Sequence, residues 1–124
     1  MRAGFLASLL LLPLPVLAQD TPAPQVVEVR LSSFAFAPRD LVLPAGRPVV
    51  LRLVNGAGGG HNFSAPAFVA AATGVSGPVE DGEVEVPGRQ SVEVRLTPAP
   101  GSYRLRCTHT MHTAFGMRGT ITVR

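Results

Sequence analysis

Near its C-terminus the chain crowds sulfur and imidazole into eleven residues: Cys107-Thr-His109-Thr-Met111-His112-Thr-Ala-Phe115-Gly-Met117. This stretch holds the only cysteine, two of the three histidines and two of the three methionines. Soft donors at that density suit copper better than any other common biological metal. An ion alternating between Cu(I) and Cu(II) is served by one thiolate, two imidazoles and a weak axial thioether, because that set lies between the preferences of the two states. Cys107 would supply the thiolate and His112 one imidazole. Met117 would supply the axial sulfur. The second imidazole would be His61, which lies far upstream behind a glycine-rich segment over residues 56–60.

Competing chemistries fit less well. Structural zinc sites in small domains favour paired cysteines, which one cysteine cannot form, and thioether is a poor zinc ligand. A cysteine–histidine nucleophile needs an orienting group, an oxyanion hole and a cleft, none of which is visible. A buried structural cysteine with unrelated loop histidines would not explain a Cys-x4-His-x4-Met spacing. No catalytic residue is therefore assigned, and the protein is read as something other than an enzyme.

The elements that must position these residues read as strands. Val27, Val29 and Leu31 alternate with Glu28 and Arg30, and Phe34 and Phe36 extend the period of two until Pro38. Leu41 and Leu43 follow, then Val49, Leu51 and Leu53, closed by Asn55. Residues 66–72, Pro-Ala-Phe-Val-Ala-Ala-Ala, make a short helical excursion ended by Gly74 and Gly77-Pro78. Alternation resumes at Glu83-Val84-Glu85-Val86 and again through Val92, Val94 and Leu96. Tyr103, Leu105 and Cys107 share one parity, which turns the thiol inward at the end of its strand. Met117, Gly119, Ile121 and Val123 share a parity too, so the last strand starts with Met117 on the core side. Seven to eight short strands and no long amphipathic helix make an all-β sandwich or barrel.

The bulk numbers agree. A chain of 124 residues holds one domain, and 46% hydrophobic residues supply a core. Thirteen glycines and twelve prolines suit many turns. All eleven basic residues are arginines, scattered singly among acids, and the net charge is +3. No basic stripe of the kind nucleic-acid binding needs is present. Residues 1–18 read as a cleaved signal peptide, with Arg2, an apolar run from Phe5 to Leu12 and a Val16-Leu17-Ala18 cleavage site. That run is too short to span a bilayer, so no membrane insertion is expected. Residues 19–25 form a proline-rich lead-in, and residues 26–124 form the copper-binding domain. Export to the periplasm and a monomeric state are expected, with metal ligation protecting the single thiol.

Several motifs carry a resemblance: Phe34-x-Phe36-x-Pro38, Pro44-Ala45-Gly46, Asn55 followed by His61-Asn62, Tyr103-x-Leu105-x-Cys107, and Met117-x-Gly119-x-Ile121-x-Val123. From about Val26 to Arg124 the chain resembles the cupredoxin family, and its Cys107-to-Met117 spacing is similar to that of the rusticyanin-type loop. The resemblance implies a Greek-key sandwich with one copper ion at one end. It also implies that the Asn62 backbone amide hydrogen-bonds the Cys107 sulfur and that Phe115 helps to surround the exposed edge of His112. His109 stands only two residues after Cys107, a tighter return than the family uses, so His112 is the better ligand. His109 and Met111 are extra to the family pattern, as a solvent-facing pair, a pH-responsive neighbour of the site or a docking point for incoming copper.

The function expected is single-electron transfer through a mononuclear type 1 copper site, with redox proteins as partners. The alternative is a periplasmic copper carrier or buffer exchanging metal with a donor or acceptor protein. Docking would use an apolar patch around Phe115, Ala114 and Met111.

Overall fold

The structure, a computed structural model, describes residues 4, 10–17 and 23–124. Of the expected leader, residues 4 and 10–17 are exposed and without regular structure. The remainder of the leader, its cleavage point and most of the lead-in lie outside the described residues. Among the described residues no helix is long and apolar enough to cross a membrane.

The strands are β1 (Gln25–Ser32), β2 (Ala35–Ala37), β3 (Asp40–Leu43), β4 (Val49–Asn55), β5 (His61–Ser64), β6 (Thr73–Ser76), β7 (Glu83–Val86), β8 (Ser91–Thr97), β9 (Gly101–Arg106) and β10 (Arg118–Val123), with helix α1 (Pro66–Ala71) between β5 and β6. They form two five-stranded sheets, ordered β2-β1-β4-β8-β6 and β3-β10-β9-β5-β7. Pairings are antiparallel except β1 with β4 and β3 with β10. The fold is the all-β sandwich expected, with its helical excursion in place.

Among the described residues there are ten strands where seven to eight are expected, because β2, β5 and β6 do not read as separate strands in the sequence. The run through Phe34 and Phe36 does not continue as one strand: residues 33 and 34 turn the chain, and β2 folds back antiparallel on β1, pairing Leu31 with Phe36. Thr73–Ser76, read as the end of the helical excursion, is an edge strand on β8 with every residue exposed. A strand buried on neither face shows no alternation to read.

Inward side chains from both sheets make one core. Val29, Leu31, Leu51, Leu53, Val94 and Leu96 come from the first sheet, and Phe63, Val84, Val86, Leu105, Ile121 and Val123 from the second. Phe36 meets Phe63 edge-on across the layers at 6.2 Å. Phe68, the buried residue of α1, packs edge-on against Tyr103 at 5.6 Å, which anchors the helix on β9. Burial of each such side chain stabilises the fold by about 1.5–3 kcal/mol before entropy is subtracted. Cys107 and Met117 belong to this core at 0% exposure, at its extreme end.

Candidate metal centre

Two strands and one loop build the site. β9 ends by pointing Cys107 inward, as its parity requires. β5 begins with His61, buried at 1% exposure despite being an imidazole. The loop over residues 107–117 brings back His112, which stays half-buried.

The glycine-rich segment before His61 is held from two sides. The Asn55 side-chain amide donates to the carbonyls of Gly59 and Val86, each at 2.9 Å, while its oxygen accepts from Ala57 N at 2.9 Å. The turn after β7 closes on the same segment, where Arg89 N donates to Ala57 O at 2.9 Å. Gly88 lies so near the Gly58 carbonyl that a side chain there would collide with it. Asn55 thus satisfies a loop that cannot pair as a strand, and β5 starts in a fixed place.

The return loop is closed on itself. Cys107 N donates to Met117 O at 3.1 Å, and Met117 N donates to His112 O at 3.0 Å. Phe115 N donates to Met111 O at 3.0 Å, and the Thr113 hydroxyl to Cys107 O at 2.5 Å. Met111 takes φ +65° and Gly116 φ +100°, the left-handed positions that so tight a loop requires.

His61, Cys107 and His112 each offer one donor atom to a common point, all within 4.8 Å of one another. The two Nδ1 atoms are 3.1 Å apart, and Cys107 Sγ is 3.4 Å from His112 Nδ1 and 3.9 Å from His61 Nδ1. Three electron-pair donors aimed inward from rigid elements match a soft cation, which would satisfy all of them together. Burial holds the His61 pKa below its ordinary 6.5, helped by the charges of His112 and then His109. His61 is therefore the neutral imidazole that metal binding needs. Its outer nitrogen, Nε2, meets Ser33 Oγ at 3.4 Å, which leaves Nδ1 facing inward.

Asn62 N donates to Cys107 Sγ at 3.4 Å. The Asn62 side chain reaches further: its oxygen accepts from Thr108 N at 2.9 Å, and its amide donates to Thr108 Oγ1 at 2.6 Å and Glu85 Oε1 at 3.0 Å. His109 does not join the three converging donors. Its Nε2 sits 2.9 Å from Glu85 Oε2, although its ring centre is 5.4 Å from that of His112. Met111 is exposed at 57% and Phe115 at 61%, while Met117 is fully buried.

Phe34, Ser33, Glu85 and Thr113 escaped the sequence reading. Phe34 packs edge-on to His112 at 4.9 Å and, tilted, against Phe115 at 5.0 Å, so it bridges the imidazole and Phe115. The alternation through Phe34 pointed to a strand, and only the turn at residues 33–34 carries it to the site. Glu85 had no local signal, because its partners Asn62 and His109 come from other elements, and Thr113 meets Cys107 O only once the return loop has closed.

A two-sheet sandwich with thiol, imidazoles and buried thioether at one end defines a class, and a family model agrees: the Cupredoxin-like domain matches residues 3–123. The chain belongs to the cupredoxin-like family. Auracyanin B is 34% identical over 86% of this chain and 93% of its own, with a TM-score of 0.61. Auracyanin A, a "blue" copper protein from Chloroflexus aurantiacus, is 22% identical over 82% of this chain and 100% of its own, at TM-score 0.61. A multicopper oxidase from Campylobacter jejuni shares the fold at 12% identity and TM-score 0.66, this chain matching 32% of its length. No match is found among curated proteins. The arrangement of His61, Cys107, His112 and Met117 fits a single type 1 copper site.

Proposed function

We propose that this protein carries single electrons in the periplasm as an exported monomer, with residues 1–18 removed. His61, Cys107 and His112 are the principal copper ligands in this reading, and Met117 is the weak axial one. The observation that carries it is the convergence of three donor atoms within 4.8 Å on supports that already hold them. Copper bound there supplies a one-electron couple between its two oxidation states.

The chain's own residues do the remainder. Asn55 and Gly88 position His61, and Asn62 holds the thiol sulfur and the first residue of the loop. Sheet and core exclude water from Cys107, His61 and Met117, which are buried to 1% exposure or less. A preset site needs little rearrangement when its charge changes, which is what a carrier requires. His112 alone of the three reaches the surface, beside Phe34, and makes the exit for the electron. Auracyanin B, the 34% identical relative, supports the same reading through its kinship with a blue copper protein.

Adding Cu(II) to the metal-free protein tests this directly. An intense blue or green colour from thiolate charge transfer is expected, and a colourless complex or no binding would overturn the reading. Copper handling without redox shuttling is the second reading, favoured by the exposed thioether of Met111 on the metal loop. Slow electron self-exchange together with rapid copper transfer to a chelator would select it.

A further inference from the structure

The outer face of the β3-β10-β9-β5-β7 sheet is divided by charge. On β7, Glu83 and Glu85 are held by neutral donors of β5: Ser64 Oγ donates to Glu83 Oε1 at 3.0 Å, and Asn62 Nδ2 to Glu85 Oε1 at 3.0 Å. On the other side of β5 stand three arginines. Arg104 and Arg106 are two residues apart on β9, and Arg118 of β10 lies directly opposite Arg106 in register. All three are exposed. Scattered singly in the sequence, they are gathered by strand pairing into one patch.

Among the described residues, the arginine ion pairs are Arg30 with Glu28 and Arg52 with Glu93, both on the other sheet. The carboxylates that flank the patch are engaged with hydroxyls: Glu83 with Ser64, and Asp40 with Thr120 Oγ1 at 2.7 Å. Like charges facing each other across adjacent strands destabilise a sheet. This patch concentrates three such charges without an ion-pair partner. Together with Ser64, Pro66 and Thr113 they line a cleft of about 680 Å³. Thr113 follows His112 directly and donates its hydroxyl to Cys107 O, so whatever fills the cleft lies beside the electron's exit.

We propose that Arg104, Arg106 and Arg118 seat the acidic surface of a redox partner protein, an inference that rests on the electron-carrier reading. Planar guanidinium groups take carboxylates two-pronged, and three of them on a rigid sheet both attract and orient such a surface. The acidic rim of Glu83 and Glu85 repels it on the far side of β5. The partner is thereby turned with its carboxylates over β9 and β10 and its redox centre toward His112.

The experiment uses copper-loaded protein and one haem carrier in two charge states: native cytochrome c, which is basic, and the same protein succinylated on its lysines, which is acidic. Stopped-flow rates are measured at low and high salt. The acidic form is expected to react faster at low salt, with the advantage lost at high salt. The R104Q/R106Q/R118Q variant is expected to lose that advantage by about tenfold or more, within the range of electrostatic steering. An R30Q/R52Q/R95Q variant changes net charge equally on the other sheet and is expected to lose far less. Equal losses in both variants, an unchanged rate in the first, or a preference for the basic form would each overturn the proposal. Single substitutions R104Q, R106Q and R118Q, at exposed positions, carry the same test if the triple variant does not take up copper. Failure of the coloured, unsubstituted protein to exchange electrons with either form would overturn the carrier reading, and this inference with it.

Discussion

Asn62 holds Cys107 and the residue after it at once: its main-chain N–H donates to Cys107 Sγ at 3.4 Å, and its side-chain oxygen accepts from Thr108 N at 2.9 Å. The two segments are 45 residues apart in sequence. An N–H aimed at the sulfur fixes its position and draws on its electron density, one of the means by which a protein sets the potential of a copper–thiolate bond.

Replacing Asn62 by alanine separates the two functions. The main-chain donor to sulfur remains, so copper colour is expected to persist. Thr108 N loses its partner and Glu85 keeps only His109, at a cost of about 1–3 kcal/mol. Urea unfolding of the metal-free variant measures this, and a variant as stable as the parent would contradict the bonding described.

His109 and His112 are expected to behave differently. His109→Ala removes a contact with Glu85, whose side chain is 62% exposed, and such pairs contribute about 0–1 kcal/mol. Copper uptake and visible spectrum should be unchanged. His112→Ala should abolish the intense colour, since it removes the donor 3.4 Å from the sulfur. A spectrum altered by the first substitution and spared by the second would reverse the ligand assignment.

Gly88→Ala is expected to disturb the site from a distance. The added methyl meets the Gly58 backbone, so the segment before His61 must move or the turn must open. Overpacking of this kind costs about 1–3 kcal/mol. Gly58→Ala, which points into open space, is the control. Copper titration together with thermal unfolding should show loss in the first variant and little change in the second.

Acid should weaken the metal-free protein through His61. Its pKa is lowered in the folded state, so the unfolded chain binds the extra proton as pH falls below 6.5. Stability is then full above that pH and declines below it, with a slope of at most about 1.4 kcal/mol per pH unit for one proton. Denaturant midpoints measured between pH 7.5 and about 5 should fall in the parent and flatten in His61→Gln. An equal slope in both would assign the effect to other groups.

Much of this was legible in the chain because the decisive patterns are local. Parity along Tyr103, Leu105 and Cys107 turns the thiol inward, and Met117 begins an alternation that ends at Val123. The distances between such residues follow from the pleat alone. The Asn62 amide on the Cys107 sulfur, implied by family resemblance, is present at 3.4 Å. What stayed hidden depends on which strands become neighbours. Phe34 reaches His112 only because the chain turns at residues 33–34, and Glu85 reaches Asn62 only because β7 pairs with β5. Thr73–Ser76 lacks a buried face and so lacks a signal. The arginine patch is the clearest case: twelve residues separate Arg106 from Arg118 along the chain, and their register puts them side by side.

The hydrogen bond from Cys107 N to Met117 O closes the return loop at its base, beyond the last pairs of β9 and β10. The sandwich is complete without the loop's interior, and the loop is gripped by its two ends. Its length and contents are thus free to vary like a cartridge in a fixed socket. Chemistry at this end of the molecule can be rewritten without renegotiating the fold beneath it.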